Sequence, residues 1–196
     1  MPIGVNGSGT ITGISVGGLP DGIVDTDMLA ATAVTAAKRG AGSVLQIGQT
    51  KASGAVSATG SSVSTVSGLA VTMTPIQAGS KFLLTCTANG HTNLTGSNGN
   101  HGCRYLFYAS IDGGAYESLA GSNPLCATHI QGDLGNWLDF PVHYSFLATP
   151  TYDLGEVIIF RPAFTKDASM GDSFAYYFNH NTASNEATFI VQEIAT

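Results

Sequence analysis

The stretch "RYLFYASIDGGAYESLAG" (residues 104–121) decides how this chain is read. Two runs of aromatic and aliphatic residues flank Asp112-Gly113-Gly114. Asp-Gly tolerates the positive φ angles of a tight hairpin turn, so the stretch predicts two antiparallel strands. Upstream, "LAVTMTP" alternates, and "KFLLTCTANG" is a strand run that closes in Asn89-Gly90. Downstream, "FPVHYSFLAT", "EVIIFRPAF", "SFAYYFN" and "ATFIVQEIA" continue the pattern. That makes about eight strands with turn signals between them and no helical periodicity. The expected fold is mainly β, a C-terminal antiparallel β-sandwich of the jelly-roll kind over residues 67–196. A proline cannot donate to a ladder. Pro141 is therefore expected to open a strand, and Pro162 to lie on an edge or at a bulge.

Composition sets the next bounds. Of 196 residues, 43% are hydrophobic and only 10% charged, against a usual charged share of roughly 25%. A lone globule with so few charges would have a poorly solvated surface, which favours self-association or burial in an assembly. Net charge is −6 and Lys38-Arg39 is the only basic cluster, so nucleic acid is not an expected partner. Apolar runs such as residues 157–160 fall far short of the roughly 20 residues of a membrane span. No charged segment leading into an apolar core opens the sequence, so no secretory signal is expected. Cys86, Cys103 and Cys126 are odd in number and irregular in spacing. They suggest free thiols and cytosolic synthesis rather than a disulfide framework.

Ahead of the strands lie two different textures. Residues 1–24 are extended and glycine-rich, with brief period-2 patterning that includes Ile11, Ile14 and Val16. Leu19-Pro20-Asp21-Gly22 is turn chemistry. Residues 25–66 read as a helical neck and linker. Asp25 or Thr26 can cap a helix over 27–39, with Lys38 and Arg39 suiting its C-terminal dipole and Gly40 as the residue beyond it. Leu29, Ala33 and Ala36 fall on one face of that helix. So narrow a stripe is marginal alone in water, but alanine permits close approach of identical helices around an axis. Val44 to Ile47 is a short strand, and the rest of 41–68 reads as linker or as an extended strand at the entrance to a domain.

"GTITGISVGGLPDGIVDTDMLAATAVTAAKRGAGSVLQ" resembles the stem segment of tail fibres of tailed bacteriophages, notably those of cyanobacteria and other marine bacteria. "VSGLAVTMTPIQAGSKFLLTCTANG" onward to "ATFIVQEIA" resembles the small β-sandwich that closes similar fibre proteins. The resemblance implies a homotrimer in the virion tail, made in the host cytoplasm. It implies that the segment around Ile11, Ile14 and Val16 docks on a phage tail or baseplate protein, and that Leu29, Ala33 and Ala36 pack the trimeric neck. The head would contact a host cell-surface glycan or another fibre. Such fibres usually carry an extended shaft, which this sequence nearly lacks, so a short fibre or a fibre adaptor is the form implied. A capsid decoration or head-fibre protein is the alternative, since it would use the same modules.

Candidate site residues follow from chemistry. Trp137, in "QGDLGNWLDF", has Asp139 and Asn136 beside it. An aromatic face next to polar groups holds sugars by stacking and hydrogen bonding. The competing reading is that Trp137 fills the core or a seam between subunits. "NGHTNLTGSNGNHG" (residues 89–102), which holds Asn98 and His101, reads as a long polar loop that either touches a receptor or is unconstrained. His91, His101, His129, His143 and His180 include no close pair, whereas a metal needs three or four converging ligands. No metal or other cofactor is implied. His143 alternates with its neighbours as a sheet-face residue would. A nucleophile at Cys103 finds no hydrolase signature around it. A glycan hydrolase would need two acids set across a sugar, and Asp133, Asp139, Asp153 and Glu156 show no pairing in sequence. The chain is therefore read as a structural protein and not as an enzyme.

Overall fold

A computed structural model describes residues 4–5, 11–12, 35, 38–53, 56–58, 62–93, 100–121, 124–131, 137–166, 176–178 and 186–196. The chain divides into two compact units, Met1–Lys38 and Arg39–Thr196. In the first, β1 (Gly4–Val5) pairs antiparallel with β2 (Ile11–Thr12), setting Val5 opposite Ile11. Ile14, Val16, Leu29, Ala33, Ala36 and most of the expected helix lie outside the described residues. Near its expected end, Lys38 N–H donates to Thr35 O at 3.0 Å, one tight turn. The left-handed glycine at this point is Gly42, with φ +84°, rather than Gly40.

The second unit is mainly β and wholly antiparallel in the pairings described. One sheet is built on β8 (Asn100–Ile111) and β12 (Ile158–Lys166). Beside β8 run β9 (Glu117–Ser118) and β10 (Cys126–Gln131). Beside β12 run β5 (Ser64–Thr65) and β6 (Val71–Met73). The other sheet is built on β7 (Lys81–Asn93). On one side of it lies β11 (Trp137–Ala148) as an edge strand, and on the other β14 (Ala187–Ile194) and β13 (Tyr176–Phe178). β3 (Val44–Ala52) completes the sheet beside β14, and β4 (Val56–Ala58) beside β13.

The two sheets face one another across an aromatic core. Phe107 of β8 stacks on Tyr144 of β11 at 4.5 Å between centroids and on Phe189 of β14 at 5.5 Å. Phe82 meets Phe160 at 5.0 Å, and Phe164 stacks on Phe178 at 5.7 Å. Each such ring contributes about 1.5–3 kcal/mol by leaving water. Alternation supplies them in register: along β14 every second residue from Ala187 to Val191 is buried.

The eight strands read from the sequence all form, and the hairpin turn takes its expected shape. Asp112 and Gly113 have φ of 47° and 76°, and Gly114 N–H donates to Ile111 O at 2.9 Å. These are the angles of a type I′ turn. Four expectations need correction. β10 lies in residues that carried no strand assignment. β3 runs from Val44 to Ala52 and is hydrogen-bonded into the second sheet, so the short strand expected at 44–47 extends to residue 52 and the extended-strand reading of 48–52 replaces the linker one. Asn89-Gly90 is not a turn: both lie inside β7, which reaches Asn93, so residues 89–93 and 100–102 of the expected polar loop belong to strands. Pro141 is the fifth residue of β11 rather than its first, and is tolerated because β11 is an edge.

Pro162 illustrates the same rule. Its carbonyl accepts Val66 N–H at 2.9 Å. In an antiparallel strand a residue's N and O point the same way. The missing N–H therefore falls in the break between β5, which pairs with residues 163–164, and β6, which pairs with residues 158–160.

One buried carboxylate ties the sheets at the β3–β6 seam. Glu193 of β14 is 0% exposed. Its Oε1 accepts the N–H groups of Ile76 and Gln77 at 3.0 and 3.1 Å, and its Oε2 accepts Gln46 Nε2 at 2.6 Å. Gln46 Nε2 also donates to Thr74 O at 2.8 Å. Glu193→Ala strands these donors and should lower stability by about 2–4 kcal/mol, read from urea unfolding at neutral pH. By the same logic, residues 39–196 should unfold as one cooperative unit. Residues 67–196, stripped of β3 and Gln46, should unfold at clearly lower urea or fail to fold. Equal midpoints would mean that β3 is dispensable.

Candidate functional site

The second unit has two ends of different character. The chain enters at Arg39–Val44, beside the start of β7, since Val44 pairs with Ile194 and Ile194 with Lys81. The same end holds the connections 74–80, 112–116 and 149–157. At the far end lie Asn93, Asn100, Gln131, Trp137, Lys166 and Ala58, the strand residues that flank segments 94–99, 132–136, 167–175 and 59–63. The length of β7 separates the ends by roughly 40 Å at about 3.4 Å per residue.

Three of the four candidate contact residues fall at the far end. Trp137 opens β11 opposite Asn93, Asp139 sits two residues on opposite His91, and His101 lies second in β8 opposite Ile130. Trp137 and Asp139 belong to one sheet and His101 to the other. Asn98 lies outside the described residues, in the connection that joins β7 to β8.

Asp139 and His91 form an ion-pair-like contact at this end. The imidazole Nδ1–H of His91 donates to Asp139 Oδ1 at 2.5 Å. The His91 side chain is 4% exposed and that of Asp139 64%. The carboxylate thus presents its remaining lone pairs to solvent while the imidazole fixes its position. Tyr177 of β13 flanks His91 on the opposite side, so the row Asp139–His91–Tyr177 crosses three strands. Sequence reading treated Asp139 and His91 separately, because they are far apart in the chain and only strand register joins them.

Other candidates resolve differently. His143 is exposed on the outer sheet face, as its alternation suggested, and is hydrogen-bonded to Thr87 Oγ1 at 2.9 Å. Asp153 and Glu156 lie at the entry end, where Glu156 Oε2 accepts Asp153 N–H at 2.7 Å. Along β11 they are roughly 30 Å from Asp139, far beyond the span of about 10 Å over which two acids share a glycosidic bond. Asp133 lies outside the described residues. No group of three or more potential metal ligands converges among the described residues.

The three cysteines are free thiols. Burial pushes Cys86 up to about 12, with a hydrogen bond to Tyr144 working against the rise. Burial likewise pushes Cys103 up to about 12, opposed by its bond to Tyr105. Both are protonated at neutral pH, which removes the thiolate that a Cys103 nucleophile would need. Burial also raises Tyr105 and Tyr144.

A concave feature sits at the entry end. A cleft of about 500 Å³ opens between the edge strands β9 and β11, walled by Ile111, Leu119, Phe146, Leu147 and Pro150, with Glu117 at its rim. No alternation rule marks it in the sequence, because it is a gap between edges of two sheets. Among the described residues, no helix is long and apolar enough to cross a membrane. No family model and no curated protein sequence matches this chain.

The buried thiols set a pH limit. In the folded state they stay neutral, whereas in the unfolded chain they ionise near 9. Unfolding then releases protons, so the thiols' contribution is level below pH 9 and falls between 9 and about 12. Each thiol contributes a slope of about 1.4 kcal/mol per pH unit, and the raised tyrosines add to it above pH 10. Urea midpoints measured in reductant from pH 8 to 11 should show this decline. Cys103→Ala should make it shallower.

Proposed function

We propose that this chain is a virion structural protein: a short trimeric tail fibre or fibre adaptor of a tailed bacteriophage. Its N-terminal segment attaches to a tail or baseplate protein, and its β-sandwich head meets the host surface or another fibre. The observation that carries this reading is polarity. The chain enters the head at one end, while Trp137, Asp139 and His101 gather at the other. An adhesive head needs that separation, because the anchored end is occluded and only the far end reaches outward. The Asp139 carboxylate, held from below by His91, is the kind of fixed acceptor that orients a sugar hydroxyl. The resemblance of residues 9–46 to fibre stems and the 10% charged content both support assembly into a larger particle.

The reading is tested by separating the two labours. Deleting residues 1–24 should abolish incorporation into particles and leave the fold of residues 39–196 intact. Trp137→Ala and Asp139→Asn should leave incorporation unchanged and weaken binding of purified protein to host cells about tenfold or more. Absence of the chain from purified particles would sink the proposal, and so would loss of incorporation in the far-end variants alone.

A further inference from the structure

The entry end carries two apolar features on opposite edges of the unit. At the β3–β6 edge, Val44, Ile47 and Ile76 are 42%, 62% and 48% exposed. A bulge creates this patch. Glu193 pairs with Gln46 and Ile194 with Val44, which leaves Leu45 as the extra residue. Leu45 is buried and Gln46 turns to Glu193, so Val44 and Ile47, three apart, both face outward. Bulges re-aim side chains in this manner.

The opposite edge is concave. There the cleft between β9 and β11 presents Phe146 and Leu119 as walls, with Leu147 49% exposed at its mouth. β11 is a twelve-residue edge strand, and residues 140–148 include no Lys, Arg, Asp or Glu. Isolated chains normally protect so long an edge with charge. Here Pro141 interrupts the edge near the far end, and among the described residues nothing comparable protects the half beside the cleft.

We infer that the two edges are the halves of one interface between copies of this chain, with Ile47 of each copy seated in the β9–β11 cleft of the next. A convex patch on one edge and a cleft on the other define a head-to-tail contact rather than a two-fold contact of one patch with itself, and in a trimer such a contact closes into a ring. The charges agree. Arg39 is exposed beside the convex patch, its Nη1 on Val44 O at 3.4 Å and Leu45 O at 3.2 Å. Glu117 at the cleft and Asp112 in the adjoining turn are exposed acids. The interface lies where the N-terminal segment enters, so copies joined there would present their entry points together. This inference rests on the homotrimer proposed above and names the surfaces that make it.

Full-length protein carrying Ile47→Cys with Leu147→Cys tests it. Mild oxidation should link chains end to end up to a closed ring on denaturing gels, while either single variant should give no ladder. Ile47→Glu, at an exposed position, should keep the circular-dichroism spectrum of the folded parent and raise the dissociation constant about tenfold or more by sedimentation. A monomeric parent would overturn both the trimer and the interface. A trimeric parent with no ladder, and with Ile47→Glu assembling as before, would overturn the interface alone. Dimers cross-linked through Ile47→Cys by itself would show a two-fold contact and also overturn it.

Discussion

The second unit depends on a negative charge placed out of water. Glu193 lies in β14, between β7 and β3, and it is fully buried. An isolated carboxylate there would be prohibitively costly. Three donors from two distant parts of the chain make it acceptable: the backbone of Ile76 and Gln77, and the amide of Gln46. Tyr152 continues the network, donating to Gln77 O at 2.7 Å and accepting Ser80 N–H at 2.8 Å. The connection between β6 and β7 is thereby fixed to β14, to β3 and to the segment after β11. Aromatic burial drives the sheets together without regard to direction, and this network selects one register for their entry-end edge.

With the entry end so fixed, the rest of the unit acquires direction. Long strands carry the fixed geometry toward the far end. The few charges follow the same logic. Lys51 and Glu186 pair across the β3 edge at 3.2 Å with both side chains more than half exposed, a contact of little energetic weight. Arg161 lies over the Tyr116 ring at 4.4 Å on the outer face of its sheet. Neither holds the fold. The protein has put its electrostatic investment into one buried acid.

Much of the architecture was legible because alternation is local. The strands around Phe107, Tyr144, Phe160 and Phe189 announced themselves by period-2 burial, and Asp112-Gly113 announced the turn. The remainder depended on partners far away in sequence. β3 is legible only as Val44 to Ile47, since "GQTKA" has no apolar rhythm and is held by the ladder to β14. β10 mixes polar and apolar residues without alternation and is placed by its ladder to β8. The Asp139–His91 contact needs the register of β11 on β7, and the cleft needs the positions of two edges. Residues 14, 16, 29, 33, 36 and 98, singled out from sequence, lie outside the described residues.

Gly90 looks like half of a turn and is a packing position. A Cβ there would fall on the Phe140 ring, which lies opposite across the β7–β11 pair. The ring occupies the volume that a side chain at 90 would need, close to the Asp139–His91 contact. The two sites are therefore coupled: a larger residue at 90 clashes unless the Phe140 ring is displaced or replaced by a smaller side chain, and shrinking the ring first leaves the space beside Gly90 unfilled. Variation at this end of the head should accumulate around the pair and leave it as a fixed point.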